Sequence, residues 1–346
     1  RMHNKLMVAD NAAAIVGGRN IGDIYYGVNT TANYRDLDVG AVGPVVRDLS
    51  AVFDRFWNSA SAVPISALVD REYNQADLDA LVEGLNEWLD GIEYPYPIEQ
   101  DLDYLDRVAA ETRAGLVWAP GRIISDHPDA LADGESATDV ANFLTSRTGQ
   151  VEDELLIESP YFVLRDLGID LTGELVERGV RVQILTNSLA SNDVLPVHAG
   201  YAKTRRRLLE NGVELYEMRA DTEDFRPGWS FVAGGSRSAL HAKALAFDRE
   251  AVFIGSYNLD PRSADINTEA GLYIESPELA EQLAAWMAQA VAPDNSYHVT
   301  LDSDGNLVWE TEKDGEMVRY DDEPDTGFRR RFVVDLLKIL PLESQL

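Results

Sequence analysis

The sequence contains no cysteine and few basic residues. The absence of cysteine among its 346 residues excludes disulfide bonds and cysteine-based metal sites. Only 30 residues are lysine or arginine, against 60 aspartate or glutamate, so the net charge at pH 7 is −30. This balance argues against a nucleic-acid binder, because such proteins neutralise phosphates with basic side chains. A source adapted to salt would account for the acidity equally well.

Long uncharged hydrophobic runs are also missing, so the sequence predicts no membrane-spanning helix. Histidine occurs five times, and no two histidines have the HxxxH spacing of a zinc site. The stretch DHP at 126–128 reads as a loop. The stretch DSDGN at 302–306 reads as a turn, because a calcium loop would have glutamate at its twelfth position. We therefore expect no metal and no other cofactor.

Two segments of the chain repeat one pattern of polar residues. Residues 3–10 read HNKLMVAD and residues 241–248 read HAKALAFD. Each is followed by a short apolar segment and a glycine-containing turn, GGRN at 17–20 and GSYN at 255–258. A single His-x-Lys would occur by chance in many chains. Two copies with the same later aspartate and Gly-x-x-Asn indicate an internal repeat of a functional site.

The second copy shows what chemistry the pattern suits. Residues 240–247 have a period of two, in which His241, Lys243, Leu245 and Phe247 alternate with leucine and alanine. This period predicts a strand with His241 and Lys243 on one face. A turn at Asp248 leads into a second strand, which delivers Ser256 and Asn258 to a polar turn. An imidazole, an ammonium, a hydroxyl and a carboxamide together suit a phosphate group.

The doubled pattern resembles the phospholipase D superfamily. The segments at 17–23, 35–39, 43–48 and 340–346 further resemble one bacterial branch, the C-type cardiolipin synthases. The likeness runs from residue 1 to residue 346. It implies a bi-lobed, pseudo-symmetric fold in which both His-x-Lys segments meet at one central cleft.

The alternation of apolar segments predicts an α/β fold, with mixed, largely parallel sheets flanked by helices. We expect a first lobe with a helical insert at 1–149, a second lobe at 150–293, and an acidic hairpin with a basic amphipathic tail at 294–346. About ninety residues of the second lobe precede His241, but only two residues precede His3. We therefore expect an N-terminally truncated piece with an incomplete first lobe. Apolar spacing of three and four predicts helices at 41–60, 74–90, 101–113, 277–290 and 328–340.

The resemblance also implies roles for the repeated residues. By analogy, His3 is the nucleophile that forms a phospho-histidine, and His241 is the acid and base, although the sequence leaves their order open. Glu269 is expected to orient an imidazole, with Asp38 as its counterpart in the first copy. The motif aspartates are expected to close their strands at turns. The full predicted set of catalytic residues is His3, His241, Lys5, Lys243, Asp10, Asp248, Glu269 and Asp38, and the predicted phosphate-binding residues are Asn20, Asn258, Ser256 and Gly18.

The implied activity is a phosphatidyltransferase that makes cardiolipin by moving a phosphatidyl group onto phosphatidylglycerol. Phosphatidylethanolamine is a second candidate substrate. The alternatives are a phospholipase D-type hydrolase, a nuclease, which the charge disfavours, and a non-catalytic membrane-associated scaffold. The expected location is a bacterial cytoplasmic membrane, to which the protein binds peripherally. The basic-aromatic helix at 328–340 could lie on an anionic membrane surface or dock on the protein body.

Overall fold

The computed structural model describes residues 1–92, 102–129, 139–222 and 237–340. The C-terminal segment at 341–346, which contributes to the resemblance, lies outside these ranges. In the described part of the chain, no helix is both long and apolar enough to cross a membrane.

The described secondary structure comprises strands and helices that alternate over most of the chain. The strands are β1 (Leu6–Ala9), β2 (Ala13–Gly17), β3 (Ala32–Arg35), β4 (Asp38–Val42), β5 (Gly121–Ser125), β6 (Glu154–Glu158), β7 (Arg181–Asn187), β8 (Glu214–Met218), β9 (Arg237–Leu240), β10 (Ala244–Phe247), β11 (Ala251–Gly255), β12 (Ala270–Glu275), β13 (Ser296–Leu301), β14 (Leu307–Lys313) and β15 (Glu316–Tyr320). The helices are α1 (Val45–Trp57), α2 (Ile65–Leu68), α3 (Gln75–Asp90), α4 (Leu102–Ala114), α5 (Asp139–Thr148), α6 (Asp166–Glu177), α7 (Leu195–Glu210), α8 (Pro261–Asp265), α9 (Pro277–Ala290) and α10 (Phe328–Lys338).

A ten-stranded mixed sheet forms the centre of the molecule, which confirms the α/β fold with flanking helices. Its strand order is β15-β14-β13-β8-β7-β6-β10-β11-β12-β5. Only the pairs β6–β7 and β7–β8 are parallel, so the parallel share is smaller than the sequence predicts. The reason is that β10–β11 and β13–β14–β15 are consecutive hairpins, and tight turns join antiparallel neighbours. Strand β5 joins this sheet although it precedes the expected lobe boundary at residue 150.

The first repeat builds a separate three-stranded sheet, β1-β2-β4. Ala14 and Val16 of β2 belong to one hydrophobic cluster with Leu49 of α1 and with Ala244 and Val252 of the ten-stranded sheet. The small sheet and α1 are therefore held against the second lobe by apolar burial, which is the main stabilising contribution in such a contact.

The strand predicted at 240–247 is split in the structure. Strand β9 ends at Leu240, β10 begins at Ala244, and His241 lies in the connection. The split arises because β9 leaves the large sheet and pairs in parallel with β3 of the first repeat. The segment carrying the motif histidine thus bridges two sheets.

Two of the predicted helices, α3 and α10, form but are covered to different extents. Helix α3 begins with a capping box at Asn74 and has no buried residue; Leu81 and Trp88 are among its exposed apolar side chains. Helix α10 docks on α7 through buried Val334, while Arg330 donates a hydrogen bond to the carbonyl oxygen of Leu189. Docking is therefore the alternative that the structure shows for α10.

Candidate active site

The first motif histidine is held by residues of the second repeat. The backbone N–H of His3 donates to the carbonyl oxygen of Thr268 at 2.9 Å. Its ring Nδ1 lies 2.8 Å from one carboxylate oxygen of Glu269 and 2.9 Å from the other. An ionised carboxylate only accepts hydrogen bonds, so Nδ1 carries the proton and Nε2 is free for chemistry.

The second motif histidine is held in the same way by the first repeat. The backbone N–H of His241 donates to the carbonyl oxygen of Arg35 at 2.8 Å. Its Nδ1 lies 2.6 Å from a carboxylate oxygen of Asp36, whose side chain is fully buried. We call His3–Glu269 and His241–Asp36 the crossed pairs, because each joins a histidine of one repeat to a carboxylate of the other.

The predicted counterpart of Glu269, Asp38, does not contact a histidine. The backbone N–H of Gly18 donates to the carbonyl oxygen of Leu37, the residue after Asp36. The backbone N–H of Ser256 donates to the carbonyl oxygen of Ala270, the residue after Glu269. This register makes Asp36 the structural equivalent of Glu269. Asp38 instead accepts a 2.6 Å hydrogen bond from Nε of Arg19, so its assignment to the imidazole was wrong by two residues.

Gly18 and Ser256 occupy equivalent positions but do different things. The hydroxyl of Ser256 donates to Glu269. At Gly18 a Cβ would lie 2.4 Å from a carboxylate oxygen of Asp36 and 3.2 Å from the carbonyl oxygen of His241. The glycine is therefore required by the close approach of Asp36, and the hydroxyl of the second copy has no room in the first.

The two motif lysines lie beside their histidines. Nζ of Lys5 donates to the carbonyl oxygen of His3 at 2.8 Å, and Nζ of Lys243 donates to that of His241 at 2.6 Å. Burial, reinforced by the charge of Lys243, lowers the pKa of Lys5 to about 8. Burial also lowers the pKa of Lys243. Two crowded, partly desolvated ammonium groups gain most from a bound anion, which is what a phosphate site requires.

The environment of His241 favours its neutral form in the empty site. Burial is the largest cause that lowers its pKa to about 4, and the charges of Lys243 and Lys5 act in the same direction. Asp36 opposes them. The influence of Lys5 on His241 shows that the two half-sites, one around His3 and one around His241, share an electrostatic environment.

Similarity to known proteins extends over almost the whole chain. Residues 144–291 match the family model described as cardiolipin synthase, PLD-like domain. The chain is 37% identical to cardiolipin synthase C of Escherichia coli strain K12, over 99% of this chain and 72% of that protein. The chain belongs to the cardiolipin synthase family. It is therefore a member of an enzyme family of phospholipase D-like phosphatidyltransferases, as the motifs predict.

Two further comparisons extend this result. A protein of Helicobacter pylori is 27% identical over 99% of this chain, which covers 66% of that protein. The crystal structure of phosphatidylserine synthase from Haemophilus influenzae Rd KW20 matches all of the chain and 71% of its own, with a TM-score of 0.58 at 15% identity. That likeness supports the fold. The chain thus spans 66% to 72% of the length of these three proteins.

Among the predicted phosphate-binding residues of this cardiolipin synthase family member, the two asparagines differ. Asn258 is buried, and its side-chain oxygen has no partner among the described residues. This oxygen is an acceptor, so it suits a ligand hydroxyl, and a phosphate oxygen would need the amide nitrogen instead. Asn20 is exposed and donates to the hydroxyl of Tyr25 at 2.6 Å. Tyr25 packs edge-on against His241, with ring centroids 4.9 Å apart, which links Asn20 to the His241 half-site.

The motif aspartates lie at the far ends of their strands. Asp10 and Asp248 are each first in a three-residue turn, and both have a positive φ, 51° and 54°. One carboxylate oxygen of Asp248 accepts hydrogen bonds from the backbone N–H groups of Glu152, Asp153 and Glu154 at 2.8–3.1 Å. These contacts fix a hairpin to the start of β6, and they support a structural role for Asp248.

Sequence reasoning assigned no role to Ser263 and Asn267, which help to hold Glu269. Ser263 donates to Glu269 at 2.9 Å and Asn267 donates to it at 3.2 Å, in addition to Ser256. Asp260 accepts from the backbone N–H of Ser263, and burial raises its pKa to about 6. The only sequence signal was their position between the Gly-x-x-Asn turn and Glu269.

A tyrosine cluster around His241 was also missed. Tyr34 stacks on the His241 ring, with centroids 5.1 Å apart and planes at 23°. The hydroxyls of Tyr34 and Tyr161 both donate to Asp193, each at 2.9 Å. These residues come from distant parts of the chain, and none belongs to the repeated motif. They give the His241 half-site a polar, hydroxyl-rich wall.

Proposed function

We propose that this chain makes cardiolipin by transphosphatidylation onto phosphatidylglycerol, with a phospho-histidine intermediate. The observation that carries the proposal is the crossed pairs beside two lysines. Each pair directs Nδ1–H toward a carboxylate, and the lysines supply positive charge for a phosphodiester. Nε2 of His3 is left available, and Nε2 of His241 lies 3.4 Å from Nζ of Lys243. The relationship to cardiolipin synthase C supports the choice of lipid substrates.

In the first step we assign the attack to His3. Its side chain is 30% exposed, so that a phosphodiester can approach Nε2, whereas that of His241 is only 8% exposed. A bond forms between Nε2 of His3 and phosphorus, and the bond from phosphorus to the head-group alcohol breaks. His241 donates a proton from Nε2 to the departing oxygen.

The second step reverses these roles with a new alcohol. His241, now neutral, removes the proton from a primary hydroxyl of phosphatidylglycerol, and that oxygen attacks phosphorus. The phosphorus–nitrogen bond breaks, which regenerates His3 and completes cardiolipin. The hydroxyl-rich wall formed by Tyr34, Tyr161 and Asp193 supports placing the alcohols at the His241 half-site.

The proton on His241 has to arrive with the substrate. Its pKa is about 4 in the empty site because of burial and the charge of Lys243. A bound phosphodiester places a negative charge beside Lys243 and raises the pKa of His241. Substrate binding and protonation of the acid are therefore coupled.

We also propose peripheral attachment to the cytoplasmic membrane. Phe328 and Phe332 of α10 are exposed, as is Ile339 directly after the helix. Exposed aromatic side chains beside arginines are typical of helices that bind at the lipid interface.

The test uses labelled phosphatidylglycerol, with and without phosphatidylethanolamine, and resolves the products by mass spectrometry. The proposal expects cardiolipin from the wild type and none from His3→Ala or His241→Ala. Phosphatidic acid without cardiolipin would make the protein a hydrolase. Lipid binding without turnover in all three proteins would indicate a non-catalytic scaffold.

A second measurement separates the roles of the histidines. In wild type stopped during turnover, the intermediate should be found on His3. His241→Gln lacks both the acid of the first step and the base of the second, so it should form little intermediate and no product. The reaction is run with phosphate-labelled phosphatidylglycerol and then quenched, and mapping of the labelled peptides locates the intermediate. Label on residue 241 of the wild type would reverse the assignment.

A further inference from the structure

An apolar cavity lies directly behind the His3 half-site. Its volume is about 670 Å³, which is within the range of ligand-binding pockets. Most of its wall comes from α1 and the loop that follows. The apolar side chains of this part include Val52, Phe53, Phe56, Trp57 and Ala62.

The polar end of the cavity is formed by the segments that hold the catalytic pair. Asn4, next to His3, and Thr268, next to Glu269, both line it. Oδ1 of Asn4 accepts a 3.0 Å hydrogen bond from the hydroxyl of Thr268. Nδ2 of Asn4 is buried and has no partner in the described ranges of the chain. A buried donor without an acceptor is costly, so this atom points to a missing ligand oxygen.

Two large aromatic side chains of the wall are exposed. Phe53 is 49% exposed and Trp57 is 70% exposed, and their rings stack with centroids 5.8 Å apart. The ligand indicated by these surfaces combines an apolar chain with an acceptor oxygen at one end. A fatty acyl ester has this chemistry, because its carbonyl oxygen accepts a hydrogen bond and its chain gains from leaving water.

We propose that this cavity binds an acyl chain of the phospholipid whose phosphate is attacked by His3, with the ester carbonyl accepting a hydrogen bond from Asn4. The inference rests on the proposed function and deepens it, since it specifies the orientation of the lipid substrate in the site. The acyl chain lies toward α1, and the exchanging alcohols lie at the tyrosine wall around His241. The enzyme then discriminates among lipids by acyl length through α1.

The first test compares two substrates and three variants. Ala62→Trp fills the cavity, Trp57→Ser removes part of its wall, and Trp118→Ser is a matched control, because Trp118 is 80% exposed and lines a different pocket. For dioleoyl-phosphatidylglycerol in vesicles, kcat/KM should fall about tenfold in the two cavity variants, as expected for the loss of a few buried methylenes. For monomeric dihexanoyl-phosphatidylglycerol it should change less than about twofold, and Trp118→Ser should leave both values unchanged. Equal losses on both substrates would overturn the inference.

The second test needs no turnover. His241→Ala is incubated with phosphatidylglycerol that carries a diazirine at the end of one acyl chain, then irradiated and mapped by mass spectrometry. Cross-links within residues 52–62, reduced by Ala62→Trp, support the inference. Cross-links confined to other residues overturn it. A Trp57-dependent dimer in sedimentation, together with no cross-links at 52–62, also overturns it, because a second copy would then cover this face. If wild type makes no product from either substrate while the cross-links form at 52–62, the proposed function fails and the acyl site stands.

Discussion

The crossed pairs predict that Asp36, rather than Asp38, supports catalysis. The change to test is Asp36→Asn, which keeps the shape of the side chain and removes its charge. Asp36 is fully buried and lies 2.6 Å from Nδ1 of His241. Hydrogen bonds to charged groups contribute about 1.5–3 kcal/mol when they are shielded from water. Because about 1.4 kcal/mol is a tenfold change in rate, kcat should fall roughly 10- to 100-fold.

The control is Asp38→Asn in the same loop. Asp38 pairs with Arg19, and their side chains are 22% and 25% exposed, so the pair contributes under about 1 kcal/mol. Its loss should change kcat less than about fivefold. Thermal unfolding of both variants, followed by circular dichroism, would show that the folded fraction is comparable.

A pH–rate profile separates positioning from a general loss of structure. Asp36 raises the pKa of His241 against the effects of burial and Lys243. In Asp36→Asn the pKa of His241 should therefore fall further, and the limb of the profile that reports the protonated acid should move to lower pH. The reasoning would be refuted if Asp38→Asn lost as much activity as Asp36→Asn, or if the profile of Asp36→Asn kept its shape and position.

Three other changes test the site and its supports. Gly18→Ala should lower kcat at least tenfold, because its Cβ would lie 2.4 Å from Asp36, whereas Gly40→Ala, with open space at its Cβ, should retain activity in the same assay. Lys5→Met should abolish turnover yet raise the free energy of unfolding at pH 7 by about 1–2 kcal/mol, after allowance for partial exposure. The pKa of Lys5 is about 8 in the folded state and 10.5 in the unfolded state. The gain in stability, measured by urea titration, should therefore shrink as the pH rises from 8 to 10.5. Asp248→Ala should lower the free energy of unfolding by about 1–3 kcal/mol through three unpaired backbone donors, with the kcat of the folded protein within about threefold of wild type; a tenfold lower kcat would assign Asp248 to the chemistry.

The repeated motif made the histidines and lysines predictable, because both copies keep the same spacing. The carboxylates were harder to place. Glu269 follows Asn258 by 11 residues, but Asp36 follows Asn20 by 16, so the two copies cannot be aligned by spacing after the glycine turn. The hydrogen bonds of Gly18 and Ser256, together with the crossed pairs, reveal the register.

The pairing of strands was predictable only where it is local. The hairpin β10–β11 follows from a turn between two apolar segments, and the structure shows it. The exchange by which β9 leaves this sheet for β3 depends on a partner about two hundred residues away in the sequence. Alternating residues predict an extended backbone, but they do not identify the strand that will receive its hydrogen bonds.

Helical periodicity likewise predicted α3 without predicting its surroundings. Its apolar stripe has the spacing of a core-facing helix, and yet Leu81 and Trp88 remain exposed. A hydrophobic pattern indicates that a helix face is suited to burial. It does not identify the surface that covers this face, because that surface is encoded elsewhere. The same holds for the exposed face of α10.

The crossed pairs explain why the site needs both repeats. His3 carries the nucleophile proposed here, but its carboxylate partner and the carbonyl that fixes its backbone come from residues 268 and 269. His241 depends in the same way on residues 35 and 36. The segment 144–291 that matches the family model therefore contains one histidine without its carboxylate and one carboxylate without its histidine. Docking of the small first sheet on the large one, through the cluster that contains Val16 and Ala244, is consequently a requirement for assembling the site as well as for stability.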